Sequence, residues 1–191
     1  MAWFNFNPPK QMKIEKMRRL RTLGLVAGPF VLVACAAQLV DSPIPPTLVP
    51  AGERAAERIA ARGVQVYQCR ATPGATAAAG WVFVAPEADL FDAQGRGAGK
   101  HYAGPHWEAA DGSKIIGTVK TRADAPQAGA IPWLLLAARS VGAEGRFSKV
   151  TSVQRINTVG GVAPAQGCDT GAVGTTQRVP YTADYVMFTA Y

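Results

Sequence analysis

Val64-Gln65-Val66-Tyr67-Gln68-Cys69 alternates with a period of two. In an extended chain Val64, Val66 and Gln68 fall on one face and Gln65, Tyr67 and Cys69 on the other. The same signature recurs on either side. Trp81-Val82-Phe83-Val84 is a short apolar strand, Ala88 to Asp92 follows it, and Ala93-Gln94-Gly95-Arg96-Gly97 reads as a turn. His101 to Glu108 reads as extended, and Asp111-Gly112 is a two-residue turn signal leading into Lys114 to Val119. Ile131-Pro132-Trp133-Leu134-Leu135-Leu136 opens a buried segment that its period allows as strand or helix, Val150 to Ile156 alternates again, and Tyr185 to Phe188 closes the chain. Strands this numerous, separated by Gly and Pro, predict an all-β, single-domain β-sandwich or barrel with long loops. One stretch dissents: Ala51 to Arg62 is rich in helix formers and stops at Gly63.

The chain begins with a leader. Lys10, Lys13, Lys16, Arg18, Arg19 and Arg21 precede an apolar run, Leu23 to Ala34, which is shorter than the roughly 20 residues of a membrane-spanning helix. Leu32-Val33-Ala34-Cys35 closes it with a cysteine placed as in a bacterial lipoprotein signal. Met17-Arg18-Arg19 would start a conventional signal by itself, which leaves the true start at Met1 or Met17. The expected organisation is a signal peptide over 1–34, a lipid-anchored Pro-rich tether over 35–49, and a β domain over 50–191. The competing reading is an ordinary secreted protein cut after Ala36 or Ala37. Ala36 stands where an aspartate often marks inner-membrane retention, so the expected place is the bacterial envelope, as an outer-membrane lipoprotein facing the periplasm or the exterior. The partner so implied is the membrane, through a lipid on Cys35.

The leader also skews the charge. Residues 1–34 hold six of the 20 basic residues and one of the 13 acidic ones, leaving 14 against 12, a net of +2 rather than +7. No basic stripe remains, and nucleic acid is excluded as a partner on that ground. With Cys35 lipidated, Cys69 and Cys168 are the remaining cysteines, and in an oxidising compartment they are expected to pair. Two buried thiols are the alternative. A catalytic thiol has neither a histidine nearby in sequence nor a Cys-x-x-Cys spacing to support it.

Six spaced motifs resemble an exported domain of unknown function, the domain of unknown function 3455 family. They are Gly63-Val64-Gln65-Val66-Tyr67-x-Cys69; Trp81-Val82-Phe83-x-Ala85-Pro86-Glu87-Ala88; His101-Tyr102-Ala103-Gly104-Pro105-x-Trp107-Glu108; Ile131-Pro132-Trp133-Leu134-Leu135; Gln154-Arg155-Ile156-Asn157-Thr158-x-Gly160-Gly161; and Tyr181-x-Ala183-Asp184-Tyr185. The resemblance covers about residues 48–191. It implies a single exported all-β domain of bacteria and fungi, with no established activity and no family catalytic residues. It also implies that residues 53–62 form a strand, against their propensity.

Candidate chemistry gathers in two places. The chain's two histidines, His101 and His106, stand among Tyr102, Trp107, Glu108 and Asp111. Five apart on a strand, they point to opposite faces unless a bend at Gly104-Pro105 resets the parity. A metal site would need them to converge with Glu108 or Asp111. The simpler reading is a hydrogen-bonding histidine beside a packed tryptophan at the Gly104-Pro105 bend. In the second cluster Arg155 suits a carboxylate or phosphate, while Asn157 and Thr158 suit holding the loop before Cys168. Gly160-Gly161 lacks the pattern of a phosphate-binding loop. Glu87, Asp89, Asp92, Glu108 and Asp111 are carboxylates from which an acid/base pair could come, and no Gly-x-Ser-x-Gly elbow exists. The tryptophans and terminal aromatics read as core before they read as a sugar platform.

The function expected is therefore a binding or envelope-interaction module. Its site is His101, Tyr102, His106, Trp107, Glu108, Arg155 and Asn157, its ligand a small polar molecule, a glycan or an envelope protein, and no cofactor or metal is assigned. The alternative is a hydrolase of an envelope or extracellular substrate using the His101–Asp111 segment.

Overall fold

The computed structural model describes residues 42–74 and 78–191. The expected signal segment, Cys35 and the first part of the expected tether lie outside the described residues. Eight antiparallel strands follow one another around a closed barrel: β1 (Glu53–Ala71), β2 (Ala79–Phe91), β3 (Gly97–Tyr102), β4 (His106–Ala109), β5 (Lys114–Ala123), β6 (Trp133–Ser140), β7 (Ser152–Gly160) and β8 (Thr176–Ala190). Each pairs with its successor, and β8 returns to β1. The chain is all-β, and of the two architectures expected it builds the barrel.

Residues 53–62 are strand. Their helix propensity yields because Ile59 and Ala61 alternate into the core while Glu53 to Arg62 pair along β8, and burial against neighbours outweighs propensities of a few tenths of a kcal/mol. The two apolar runs Trp81–Val84 and Ala88–Phe91 belong to one strand, β2. Pro86 is tolerated inside it because β3 reaches only as far as Ala88, leaving the missing N–H no ladder bond to lose on that side. Ile131 to Leu136 resolves as strand, with β6 starting at Trp133.

The extended reading of His101 to Glu108 is corrected: the chain reverses there as the β3–β4 hairpin, pairing His101 with Trp107 and Tyr102 with His106. Gly104 makes the reversal at φ +133°, and a Cβ on it would lie 2.0 Å from His106 Nδ1. Only glycine meets both demands.

One end of the barrel is plugged. Ile59, Leu90, Ile115, Val150, Met187 and Phe147 pack there without solvent exposure of consequence, Phe147 and Val150 arriving from the β6–β7 loop. Asp111 holds that loop by accepting from Arg146 N at 2.8 Å, while Ser113 Oγ accepts from Phe147 N at 3.0 Å. A second apolar cluster lies on the outside of β6, β7 and β8, where the 3-10 turn Pro46–Leu48 covers Trp133, Leu135, Ile156, Val186 and Phe188. Leu48 is fully buried and its carbonyl accepts from Gln154 Nε2 at 2.7 Å. The end of the Pro-rich stretch thus packs as part of the domain. Elsewhere the outer face carries exposed charges such as Arg62, Asp89 and Lys100 around an apolar interior, the reverse of a barrel built to face lipid.

Candidate functional site

The half of the barrel opposite the plug is hollow. A cavity of about 990 Å³ opens there, near the upper end of the usual range for small-molecule sites. Its floor is Trp107, His101 and Tyr185, its walls include Ile131, Leu134 and Leu136, and Gln65, Tyr67 and Arg155 bring the polar groups. Phe83, Val84, Val119 and Val162 stand half exposed around the mouth. The wall is also short on one side. β3 pairs with β2 only over Ala88–Phe91, and β4 pairs with β5 only over Lys114–Ile116. Above the β3–β4 hairpin, β2 and β5 therefore flank a window beside Gly104 and Pro105.

Strand parity explains which side chains meet. His101 and Trp107 are directly opposed across the hairpin, and their rings stack at 4.3 Å and 16°. Tyr185 meets both edge-on, at 5.0 Å from His101 and 5.3 Å from Trp107. His101 Nδ1 lies 2.7 Å from the His106 carbonyl oxygen. A carbonyl only accepts, so Nδ1 carries the proton and Nε2 is bare. Arg155 lies across from Tyr185 on β8 and donates from Nε and Nη2 to the Pro132 carbonyl at 3.0 and 2.8 Å. Tyr67 donates to the Gly161 carbonyl at 2.7 Å, tying β1 to the β7–β8 loop. The Cys69–Cys168 disulfide ties the same loop again, and Trp81 Nε1 donates to Gln166 O at 3.0 Å. The expected cysteine pairing is therefore formed, and it secures one wall of the mouth.

Burial holds the His101 imidazole down to about 3, with the Arg155 charge acting in the same direction and the bond to His106 opposing. Burial likewise pushes the Tyr67 and Tyr185 phenols up against the pull of Arg155. At neutral pH the floor is uncharged and Arg155 is the cationic group of the interior. A sign follows for stability. Above about pH 6.5 His101 is neutral folded or unfolded, but from there down toward about 3 only the unfolded chain takes up its proton. Stability then falls by roughly 1.4 kcal/mol per pH unit on this group's account. Between about pH 6.5 and 4.5 the wild type should lose about 2 to 3 kcal/mol more than His101→Phe in denaturant titrations. Parallel losses in the two proteins would contradict a neutral buried His101.

Three of the expected site residues come together at this cavity: His101, Trp107 and Arg155. Four do not. Tyr102, His106 and Glu108 sit on the outer side of the hairpin, where Tyr102 stacks on His106 at 5.3 Å and donates to Glu108 Oε2. That bond, with Lys114 beside it, holds the Glu108 carboxyl below its ordinary range. His106 Nδ1 is spent on the Ala103 carbonyl at 2.6 Å. Asn157 occupies a bulge between β7 and β8 at φ 51°, and donates to Asp184 Oδ2 at 2.8 Å. Its neighbour Thr158 donates to Ile131 O at 2.6 Å. Asn157 tolerates the left-handed conformation better than most residues, and its place is structural.

The acid/base candidates are likewise dispersed. Asp111, held at about 2 by Ser113 and the Arg146 N–H, anchors the plug loop at the far end. Glu87 pairs with Arg178 and Asp89 with Lys100 across a shallow outer depression of about 410 Å³. Among the described residues no group of three His, Cys, Asp or Glu side chains is placed to hold a metal.

Sequence reasoning passed over Gln65, Tyr67 and Tyr185 as site residues. The signal for the first two was the alternation at 64–69, whose polar-aromatic face turned out to be the inner one. Residues 50–189, most of the chain, match a known family. No curated protein and no solved structure matches the chain. With this barrel, its disulfide and its cavity, the chain belongs to the family described as "Protein of unknown function (DUF3455)".

Proposed function

We propose that this protein is a non-enzymatic binding module, held at the bacterial envelope by a lipid on Cys35, that takes a small amphiphilic molecule in the open half of its barrel. The cavity carries the reading: a space of about 990 Å³ kept open by a packed plug below and a pinned loop above. Eight-stranded barrels have an interior just wide enough to be filled by side chains or to hold one small ligand, and here one half does each. The apolar walls favour an amphiphile over a wholly polar ligand or a glycan. Support for the anchor is the Leu32-Val33-Ala34-Cys35 sequence. The hydrolase reading lacks a constellation, because the floor offers a neutral histidine and no carboxylate beside it.

The test is fluorescence titration with N-phenyl-1-naphthylamine, a neutral dye that brightens in apolar pockets. It uses the full chain exported with Cys35→Ser, which shifts from the membrane to the soluble fraction if the lipid is its anchor. Saturable binding at one site is expected, weakened about tenfold or more by Leu134→Trp, which fills the cavity from β6. A wild type that does not bind the dye, or a folded Leu134→Trp variant that binds it equally well, would refute the cavity as the site. An intact mass of the membrane-extracted wild type that lacks acyl groups on Cys35 would refute the anchor.

A further inference from the structure

We propose that the ligand is an amphiphilic organic anion, its charged group seated against Arg155 and Gln65 inside the cavity and its apolar body extending toward the mouth. The inference rests on the binding-module reading above and adds the chemical class of the ligand.

Arg155 is half-buried on the inner face of β7, and none of the ion pairs among the described residues includes it. A charge in an apolar wall is costly without a counter-charge. Its two bonds to the single Pro132 carbonyl fix the guanidinium plane, and with the Tyr185 hydroxyl close enough to take a third of its five N–H donors, at least two remain for a ligand. Held in that way, it presents a flat fork suited to a carboxylate or sulfonate.

Gln65 supplies the second, independent observation. It is 3% exposed, it lines the same cavity, and its Nε2 has no hydrogen-bond partner among the described residues. Gln65 is close enough to Tyr181 to pull its phenol down, yet Nε2 completes no hydrogen bond with it. Buried amide donors in folded proteins nearly always find an acceptor, and this one faces a space where a ligand would supply it. The rest of the inventory has the same bias. Arg155 and Gln65 offer donors, His101 is neutral, and the one carboxylate lining the cavity among the described residues, Asp124, stands exposed at the mouth. Arg122, also at the mouth, is exposed and belongs to the rim.

The experiment compares two dyes of one shape in the Cys35→Ser chain: neutral N-phenyl-1-naphthylamine and its anionic counterpart 8-anilinonaphthalene-1-sulfonate. The anion should displace the neutral dye one for one and bind about tenfold tighter or better, a gap worth one charge-assisted contact. Arg155→Gln should erase the preference, read as the ratio of the two dyes' affinities in each variant, and Arg155→Lys, which keeps the charge and loses the fork, should fall between. The neutral dye reports that each variant is folded and its cavity open. Equal affinities in the wild type, or a preference that survives Arg155→Gln, would overturn the proposal and leave the binding module standing. A preference lost in Arg122→Gln but kept in Arg155→Gln would overturn it by placing the anion at the mouth. Failure of the wild type to bind either dye would bring down the binding reading, and this inference with it.

Discussion

Replacing Cys69 and Cys168 together with alanine should lower the unfolding free energy by roughly 4–5 kcal/mol, the chain-entropy value for a loop of about 100 residues. The two cysteines are 99 residues apart, so reduction frees a long loop in the unfolded chain. In the folded chain the same bond pins the β7–β8 segment, which otherwise depends on Tyr67 to Gly161 O, Trp81 to Gln166 O and the backbone pair of Cys69 with Thr175 and Gly174. Val162 and Ala163 of that segment line the mouth. The double variant should therefore lose ligand affinity before it unfolds, because the wall loosens before the plug does. Denaturant titration of oxidised and reduced wild type beside the double variant checks the first claim, and dye titration in dilute denaturant checks the second. Reduction that leaves the midpoint where it was would show that the ladder of β1 with β8 alone secures the loop.

Trp107→Ala should cost about 3–5 kcal/mol, the range for removing a large buried aromatic. The indole is 1% exposed and packs on Gly117, where a Cβ would stand 2.8 Å from its Cζ3. It also carries the His101 stack and the Tyr185 edge contact. Its Nε1 has no partner among the described residues, so its loss strands no acceptor. Trp107→Phe, keeping most of the apolar contact, should recover much of the difference. The contrast with Arg155→Gln is informative: the first removes the floor and should lower stability and binding together, the second should leave the fold and alter selectivity. Urea unfolding of the three proteins separates these cases, and a Trp107→Ala protein as stable as the wild type would show that the floor does not support the barrel. Trp107 therefore stands as the packed floor of the cavity, which its burial shows and the motif His101-x5-Trp107 does not.

Much of the fold was legible because period-two alternation, glycine turns and apolar runs are local signals. The Ala93–Gly97 and Asp111-Gly112 turns fall where they were read, with Gly95 and Gly112 at positive φ. The cysteine pairing was legible from the count of cysteines together with the expectation of an oxidising compartment. His101 and His106 do point to opposite sides, but through the hairpin pairing of His101 with Trp107 and Tyr102 with His106, and not through parity along the single extended strand expected. Each histidine bonds the backbone of that hairpin, the service anticipated for a histidine beside a packed tryptophan.

What the sequence by itself determined is this: an all-β chain with one disulfide, and inner and outer faces alternating along each strand. Which face is inner was a tertiary decision. Val64 and Val66 have the stronger apolar character, yet Gln65, Tyr67 and Cys69 face inward, because β1 continues from Ile59 and Ala61 and parity carries along the whole strand. The same parity puts Arg155 inside and Glu108 outside. Closure of β8 on β1 then brings Gln65, Arg155 and Tyr185 to one cavity, although they stand on strands far apart in the chain. No local pattern encodes that meeting, since it depends on how strand registers add up around a ring.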